Sequence, residues 1–223
     1  MTLLNAIRRD DRVIIVSDSA ALDDDANLAG NYNKVILMPH IRAAVACRGN
    51  AMIAMILLSG LHHDYAWHSF DSFKASFADA VRATISAAGP ALSADPATAL
   101  GMDFVVAGWS ETRGPDSFFL RTLEGTHVPA WEVINPEGPL MMPCNDEIFG
   151  QTPYLADRSV PLSDDLLVKA ANLQRAYIEP FGPHKIPSSW VGGFLQATTI
   201  TEHEITTRII HRWPDELGGR LMA

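Results

Sequence analysis

The chain has 223 residues, of which 48% are hydrophobic and 19% are charged, and its formal net charge is −9. This composition is that of one globular domain over residues 1–223, and it excludes a disordered chain or a repeat array. The negative charge excludes nucleic acid and anionic membranes as main partners, because neither attracts an acidic surface.

Apolar runs and cysteines exclude further classes. The longest purely apolar run, AMIAMILL at 51–58, is far shorter than the ~20 residues that cross a bilayer. The N-terminal residues lack the pattern of a signal peptide. Cys47 and Cys144 lie too far apart to indicate a disulfide framework or a metal site. We therefore expect a cytoplasmic protein.

Two predicted hairpins open the chain. Residues 2–7 and 12–17 are short, β-branched runs on either side of the polar turn RRDD. Residues 33–38 and 41–47 repeat this pattern. Between the hairpins, the acidic run DDD at 23–25 is interpreted as a solvated loop.

Helices and further strands follow in chain order. An apolar helix is predicted over 50–61, and an amphipathic helix over 71–88 is expected to end at Gly89 and Pro90. A third helix begins at the N-cap candidate Ser163. Its predicted buried stripe comprises Leu166, Ala170, Leu173 and Tyr177. The remaining predicted strands, of which the first three form a meander, are 103–108, 117–122, 127–133, 194–201 and 204–213. Antiparallel hairpins beside helices predict an α+β fold in which two stacked sheets are covered by helices.

Thr2 follows the initiator methionine directly. Removal of Met1 would leave Thr2 with a free α-amine beside its own hydroxyl. The amine can take the hydroxyl proton, so this one residue can supply both a nucleophile and a base. Thr2 is therefore a candidate nucleophile.

The spacing that follows Thr2 resembles that of a known family. Asp18 comes 16 residues after Thr2 and Lys34 comes 32 residues after it, within the segments RVIIVSD and GNYNKV. These intervals resemble those of the proteasome β-subunit family, including HslV and the Anbu-type proteins, which belong to the N-terminal nucleophile (Ntn) hydrolases. The segments CRGNAMIAM, FVVAGW, SFFLRTLEGT, IFGQTPYLA and VGGFLQATTITEHEIT are also similar to parts of that family.

The resemblance implies a four-layer αββα sandwich and a catalytic group of Thr2, Asp18, Lys34 and Gly49. Thr2 would attack a carbonyl carbon, and its α-amine and Lys34 would share the proton. Asp18 would orient Lys34, and the Gly49 amide would stabilise the oxyanion. The alternative for Asp18 and Lys34 is a plain ion pair at a strand end. The alternative for Gly49 is a turn glycine.

Three positions depart from the family pattern. Gln151 stands where the family has a serine in a G-S-G-type turn. In the family's D-x-x-S-G-G segment, Ser188 replaces the aspartate and Val191 replaces the serine. Thr152, Ser188 and Ser189 are candidates to supply the missing hydroxyl groups.

Three functions remain open on these residues. The first is an N-terminal-threonine peptidase in a homo-oligomer whose chamber restricts access. The second is a catalytically silent, proteasome-like subunit, and the third is an amidase for a small non-peptide substrate. No ATP-binding motif of the G-x-x-x-x-G-K-[ST] kind occurs, so an ATP-dependent unfoldase would be a separate chain.

Other candidate groups are set aside. No cofactor is expected, and no metal site is assigned to HHDYAWH (62–68), which lacks ligands elsewhere with recognisable spacing. Cys47 lies in an apolar strand-like run and is interpreted as a core residue.

Overall fold

The computed structural model describes residues 2–49, 54–56, 59–60, 67–92, 101–125, 128–181 and 185–221. The strands, in chain order, are β1 (Leu4–Arg8), β2 (Val13–Asp18), β3 (Ala20–Leu22), β4 (Leu28–Asn31), β5 (Val35–Met38), β6 (Ala43–Arg48), β7 (Asp103–Ser110), β8 (Gly114–Arg121), β9 (Leu140–Met142), β10 (Ile178–Phe181), β11 (Ile186–Ser189), β12 (Phe194–Ile200) and β13 (Ile205–Arg212). The α-helices are α1 (Phe70–Leu92), α2 (Asp146–Gln151), α3 (Pro153–Ala156) and α4 (Asp164–Arg175), and a short 3₁₀ helix covers Pro39–Ile41.

Nine of these strands form two antiparallel sheets, and the other four form two separate pairs, β3-β4 and β10-β11. The first has five strands in the order β13-β12-β2-β1-β9, and the second has four in the order β5-β6-β7-β8. Leu4 lies opposite Ser17, and Val35 lies opposite Ala46, which confirms both predicted hairpins. The predicted closing strands also pair with each other, as β12 and β13. Sequence reasoning missed the small hairpin formed by β10 and β11.

The central strand β2 is buried along its whole length because both of its faces are covered. Val13 and Ile15 face apolar residues of the second sheet, in a cluster that includes Val105. Ile14 and Val16 point the other way, as alternate residues of a strand must, into a cluster shared with α4. A strand covered on both sides reads as a continuous apolar run, which explains the sequence VIIV.

Helix α1 covers the second sheet. Phe73 and Phe77 lie fully buried on its inner face and meet the Phe118 ring of β8, with ring centroids 6.4 and 5.3 Å away. The prediction of an amphipathic helix in this segment is therefore confirmed. Helix α4 packs on the first sheet through Leu167, Ala170 and Ala171. The prediction of an α+β fold with antiparallel sheets is confirmed.

Helix α4 begins where the sequence indicates. The Ser163 Oγ accepts a hydrogen bond of 3.4 Å from the Leu166 amide, as an N-cap does. Of its predicted stripe, Ala170 is buried and Leu173 and Tyr177 pack against the same cluster, but Leu166 is only partly buried, and Leu167, Ala171 and Gln174 are buried instead. The helix turns this face to the sheet because small alanines there allow close packing.

One predicted helix end and one predicted strand are also corrected. Helix α1 does not end at Gly89 and Pro90 but continues to Leu92. Proline weakens a helix interior because it lacks an N–H, but Pro90 lies only two residues before the helix end. The predicted strand over 127–133 is not formed by its described residues, and only an isolated bridge joins Ile134 to Phe119. Pro129 has no N–H for a ladder, and Trp131 has a φ of 66°, which is incompatible with a strand.

Of the predicted helix over 50–61, residues 54–56 and 59–60 are helical, and the others lie outside the described residues. Within the described part of the chain, no helix is both long enough and apolar enough to cross a membrane.

Candidate active site

Asp18, the last residue of β2, has a completely buried carboxylate that accepts four hydrogen bonds. Its Oδ1 accepts from the Leu3 amide at 2.9 Å and from the Lys34 Nζ at 2.8 Å. Its Oδ2 accepts from the amides of Gly192 at 3.1 Å and Ala20 at 3.3 Å. A buried carboxylate is tolerated only when its oxygens are satisfied in this way. The structure therefore brings Asp18 and Lys34 together, at the start of β1.

Lys34 lies just before β5 and reaches across to the other sheet. Its Nζ donates to Asp18 and to the Ala20 carbonyl, the latter at 2.6 Å, and its side chain is 11% exposed. Burial lowers the pKa of Lys34, and the charge and hydrogen bond of Asp18 oppose that shift. Burial thus moves this amine towards the range in which it exchanges protons.

Thr2 directly precedes the residue whose amide binds Asp18. Leu3 and Asp18 form a mutual pair, because the Asp18 amide also donates to the Leu3 carbonyl at 3.4 Å. Thr2 itself is 6% exposed. The β1–β2 register therefore holds Leu3, the residue that follows Thr2, against the Asp18 that binds Lys34.

Cys47 and Gly49 lie at the same end of the second sheet. Ala46 is opposite Val35, so the next residue, Cys47, comes beside Lys34. Burial raises the pKa of the Cys47 thiol to about 12, and Cys47 is a core residue as expected. Gly49 has a φ of 139°, and a Cβ there would lie 2.3 Å from the Met102 Sδ. Only glycine fits this backbone, which is what a turn glycine requires.

The structure shows the surroundings of the three departing positions and of the hydroxyl groups that were candidates to replace the family's. Val191 is fully buried in the apolar cluster that contains Leu3. Gln151 is exposed, and its Nε2 lies 3.4 Å from the Glu147 Oε1. The candidate hydroxyls each donate to a backbone carbonyl: Thr152 to Ile148, Ser188 to Ser189 and Ser189 to Arg175. These three hydroxyl protons are therefore engaged within their own neighbourhoods.

Gly192 also belongs to the site, and its contact with Asp18 was not predicted from the sequence. The glycine pair at 192–193 is visible in the sequence, but the hydrogen bond from Gly192 to Asp18 joins residues 174 positions apart. Arg175 and Asp215, which bind residues 191 and 193, were missed for the same reason. No local pattern signals such contacts.

Of the three histidines of HHDYAWH, the structure describes His68. His68 is exposed, and His62 and His63 lie outside the described residues. Among the residues that the structure does describe, no three histidine, cysteine or acidic side chains are grouped as metal ligands would be.

An Asp18→Asn variant should be less stable by about 3 kcal/mol or more, the range seen when one partner of a buried ion pair is removed. An amide has one acceptor oxygen where Asp18 uses two, and it leaves the Lys34 ammonium without a counter-charge. Denaturant unfolding measures the effect. Asp11→Asn is the matched control, because Asp11 pairs with Arg12 at the surface, where such a pair is worth about 0–1 kcal/mol. Equal stability of the two variants would contradict the prediction.

No protein-family model matches the chain, and no curated protein matches it by sequence. Solved structures do share its fold. A Gly-1 mutant of Anbu from Hyphomicrobium sp. strain MC1 is 14% identical with a TM-score of 0.66, over 97% of this chain and 89% of the other. Anbu (ancestral beta-subunit) from Yersinia bercovieri is 13% identical with a TM-score of 0.63, over 93% and 86%. A helical assembly of the Anbu complex from Pseudomonas aeruginosa is 15% identical with a TM-score of 0.58, over 93% and 85%. These likenesses confirm the Anbu-like part of the resemblance at the level of the fold.

Proposed function

We propose that this chain is a proteasome-like N-terminal-threonine amide hydrolase, a peptidase that acts through Thr2 after Met1 is removed. One observation carries the proposal: the buried Asp18 Oδ1 binds both the Lys34 ammonium and the amide that follows Thr2. The cost of burying these charges is high, and a buried amine with a lowered pKa beside a nucleophile is typical of catalytic sites.

The fold supports this proposal. One apolar cluster lies between the two sheets, and helices α1 and α4 pack on their outer faces. We infer from this arrangement a single domain over residues 1–223 with the four-layer αββα sandwich of the Ntn hydrolases. The Anbu-type structures support the same inference through their fold.

In the proposed reaction the Thr2 Oγ attacks the carbonyl carbon of an amide, and a neutral amine takes the hydroxyl proton. That amine is the Thr2 α-amine or Lys34, whose pKa burial lowers. The negative oxygen of the tetrahedral intermediate would accept from the Gly49 amide. The C–N bond then breaks, the leaving amine takes the proton, and water hydrolyses the ester left on Thr2.

The assembly and its partners are part of the proposal. An Anbu neighbour is described as a helical assembly, which supports a homo-oligomer here. We propose a cytoplasmic assembly that encloses the sites and admits peptides or unfolded protein. An ATP-dependent unfoldase would be supplied by a separate chain.

A silent subunit is the second candidate, because one specific observation favours it. Val191 fills the place of a supporting serine with an apolar side chain that belongs to the core. A site without its supporting hydroxyls keeps the fold but holds its nucleophile less firmly.

Two measurements test the proposal. Intact mass shows whether Met1 is removed, and labelling by a peptide epoxyketone followed by peptide mapping shows whether Thr2 reacts. We expect a protein that lacks Met1 and is labelled at Thr2. Retained Met1, or processed protein without label, would favour the silent subunit. Label without cleavage of any peptide library would favour the small-amide substrate.

The labelling rate should rise with pH, with a midpoint below the ordinary lysine pKa of 10.5. Burial lowers the pKa of Lys34, so the neutral amine that acts as the base becomes abundant at a lower pH. The α-amine of Thr2, with an ordinary pKa of about 7.7–8.0, should give a second, separate rise in the curve of labelling rate against pH. Labelling rates measured between pH 6 and 10 would resolve the two rises. A rate that is flat over this range would contradict a role for either amine.

A further inference from the structure

We propose that the buried ion pair of Arg175 and Asp215 is a positioning device for Asp18, acting through residues 191–193. This inference rests on the proposed function, because it assigns the pair a part in holding the catalytic carboxylate. Arg175 ends helix α4 and Asp215 lies beyond β13, so neither belongs to the segments that carry Thr2, Asp18 and Lys34.

The pair has the two-pronged geometry of a strong arginine–carboxylate contact. The Arg175 Nη2 lies 2.6 Å from the Asp215 Oδ1, and its Nη1 lies 3.0 Å from the Asp215 Oδ2. The side chains are 11% and 7% exposed. Two parallel hydrogen bonds fix both the distance and the angle between the partners, which a single contact does not. The Trp213 ring, 5.2 Å from the Arg175 guanidinium, adds a third constraint.

Both members of the pair also hold the segment that follows β11. Arg175 Nη1 donates to the Val191 carbonyl at 2.7 Å, and the Asp215 Oδ2 accepts from the Gly193 amide at 2.7 Å. A Cβ on Gly192 would lie 2.7 Å from the same Asp215 oxygen. Only glycine lets the carboxylate approach so closely, so residues 191–193 are built against this pair.

The other side of the same segment holds Asp18. The Gly192 amide donates to the Asp18 Oδ2 at 3.1 Å. The Gly192 carbonyl accepts from the amides of Ser19 at 3.3 Å and Ala20 at 3.2 Å. Gly192 therefore joins the ion pair on one side to residues 18–20 on the other. If Gly192 moves, Asp18 loses a donor, and the Oδ1 that faces both Lys34 and Leu3 moves with the carboxylate.

A purely stabilising role does not require this arrangement. A buried ion pair contributes little net stability, because desolvation offsets its attraction, and an apolar pair of similar volume often serves as well. Here the pair supplies one donor and one acceptor to backbone groups on either side of Gly192. Positioning uses both of these contacts.

Asp215→Asn and Arg175→Lys test the proposal. Asparagine keeps the shape of Asp215 but has one acceptor oxygen for two sets of donors, and lysine cannot make the two-pronged contact. Asp116→Asn is the matched control. Asp116 is also buried and accepts from Lys74 and Arg113 at 2.7 Å, but it lies opposite Gly108, at the end of the second sheet away from Gly49.

Two readouts are needed on these variants. Amide hydrogen exchange at Ser19, Ala20 and Gly192 should quicken roughly tenfold relative to the control, the effect of losing one hydrogen bond. Labelling of Thr2 at saturating epoxyketone should slow by about 10- to 100-fold, as expected when a catalytic group is misplaced. The half-saturating concentration should stay near that of the wild type, because a positioning role acts on the reaction step and not on binding of the reagent.

The outcomes separate this inference from the proposed function. Exchange no faster than in the Asp116→Asn control would overturn the positioning role. Faster exchange with normal labelling would show that the segment moves without consequence for Asp18, and would overturn it equally. Wild-type protein that is processed but never labelled would instead refute the proposed function, and with it the catalytic half of the inference. The exchange data would still decide whether the pair holds Gly192.

Discussion

A Thr2→Ala variant should lose epoxyketone labelling and peptide hydrolysis by at least about 1,000-fold, the scale of effect seen when a catalytic nucleophile is removed. Alanine has no hydroxyl to attack a carbonyl, although Met1 removal should proceed, because alanine is also small. The β1–β2 register does not depend on this side chain, since the mutual hydrogen bonds of Leu3 and Asp18 are made by the Leu3 backbone. Thr2 is 6% exposed, so we expect a loss of stability of about 1 kcal/mol, typical of a single substitution.

Thr2→Ser is the matched control for this experiment. Serine keeps the hydroxyl and the α-amine and loses only a methyl group, so labelling should persist. Intact mass of all three proteins shows whether each has lost Met1. More than about one tenth of the wild-type activity in processed Thr2→Ala would exclude Thr2 as the nucleophile. That outcome would leave the buried Asp18 and Lys34 as a structural pair.

Replacement of Lys34 by arginine should slow labelling of Thr2 by roughly 100- to 10,000-fold, the range supplied by a positioned acid or base. The Lys34 Nζ fits between the Asp18 Oδ1 and the Ala20 carbonyl, at 2.8 and 2.6 Å. A guanidinium stays protonated at any working pH and cannot share a proton. It does preserve the charge that Asp18 needs. Lys34→Arg should therefore unfold nearly as the wild type does while losing reactivity.

Lys34→Met gives the complementary result. Methionine has a similar apolar length but leaves the fully buried Asp18 carboxylate without a cation, which should cost about 3–5 kcal/mol. Denaturant unfolding and the labelling rate, measured on both variants, separate charge balance from proton transfer. If Lys34→Arg is labelled at the wild-type rate, Lys34 is only the ion-pair partner of Asp18, and the proposed mechanism fails.

The sequence by itself determined the hairpins, and its resemblance to the proteasome family implied that Asp18 and Lys34 meet. Strand periodicity and turn residues act over a few positions, so β1, β2, β5 and β6 were predictable from their own residues. Once β2 and β5 exist, Asp18 ends one of them and Lys34 precedes the other. Their encounter at 2.8 Å agrees with the spacing that resembles the proteasome family.

Elements whose structure depends on distant partners could not be predicted from their own residues. The run over 127–133 has strand-like residues, but Trp131 adopts a φ of 66° and its amide binds the Arg121 carbonyl instead of a ladder partner. The buried face of α4 is set by the sheet beneath it, which selects Ala171 and Gln174 over Leu166. Tertiary packing overrides local preference at such places.

The surroundings of Asp18 were likewise decided only by the tertiary structure. The Gly192 amide, and the pair of Arg175 and Asp215 behind it, come from segments far along the chain. Their hydrogen bonds follow no sequence period, since they form only when the first sheet closes with β12 beside β2. Periodicity records which face of a strand or helix is buried. A carboxylate with several donors depends on where separate chain segments meet, and that meeting is a property of the packed fold.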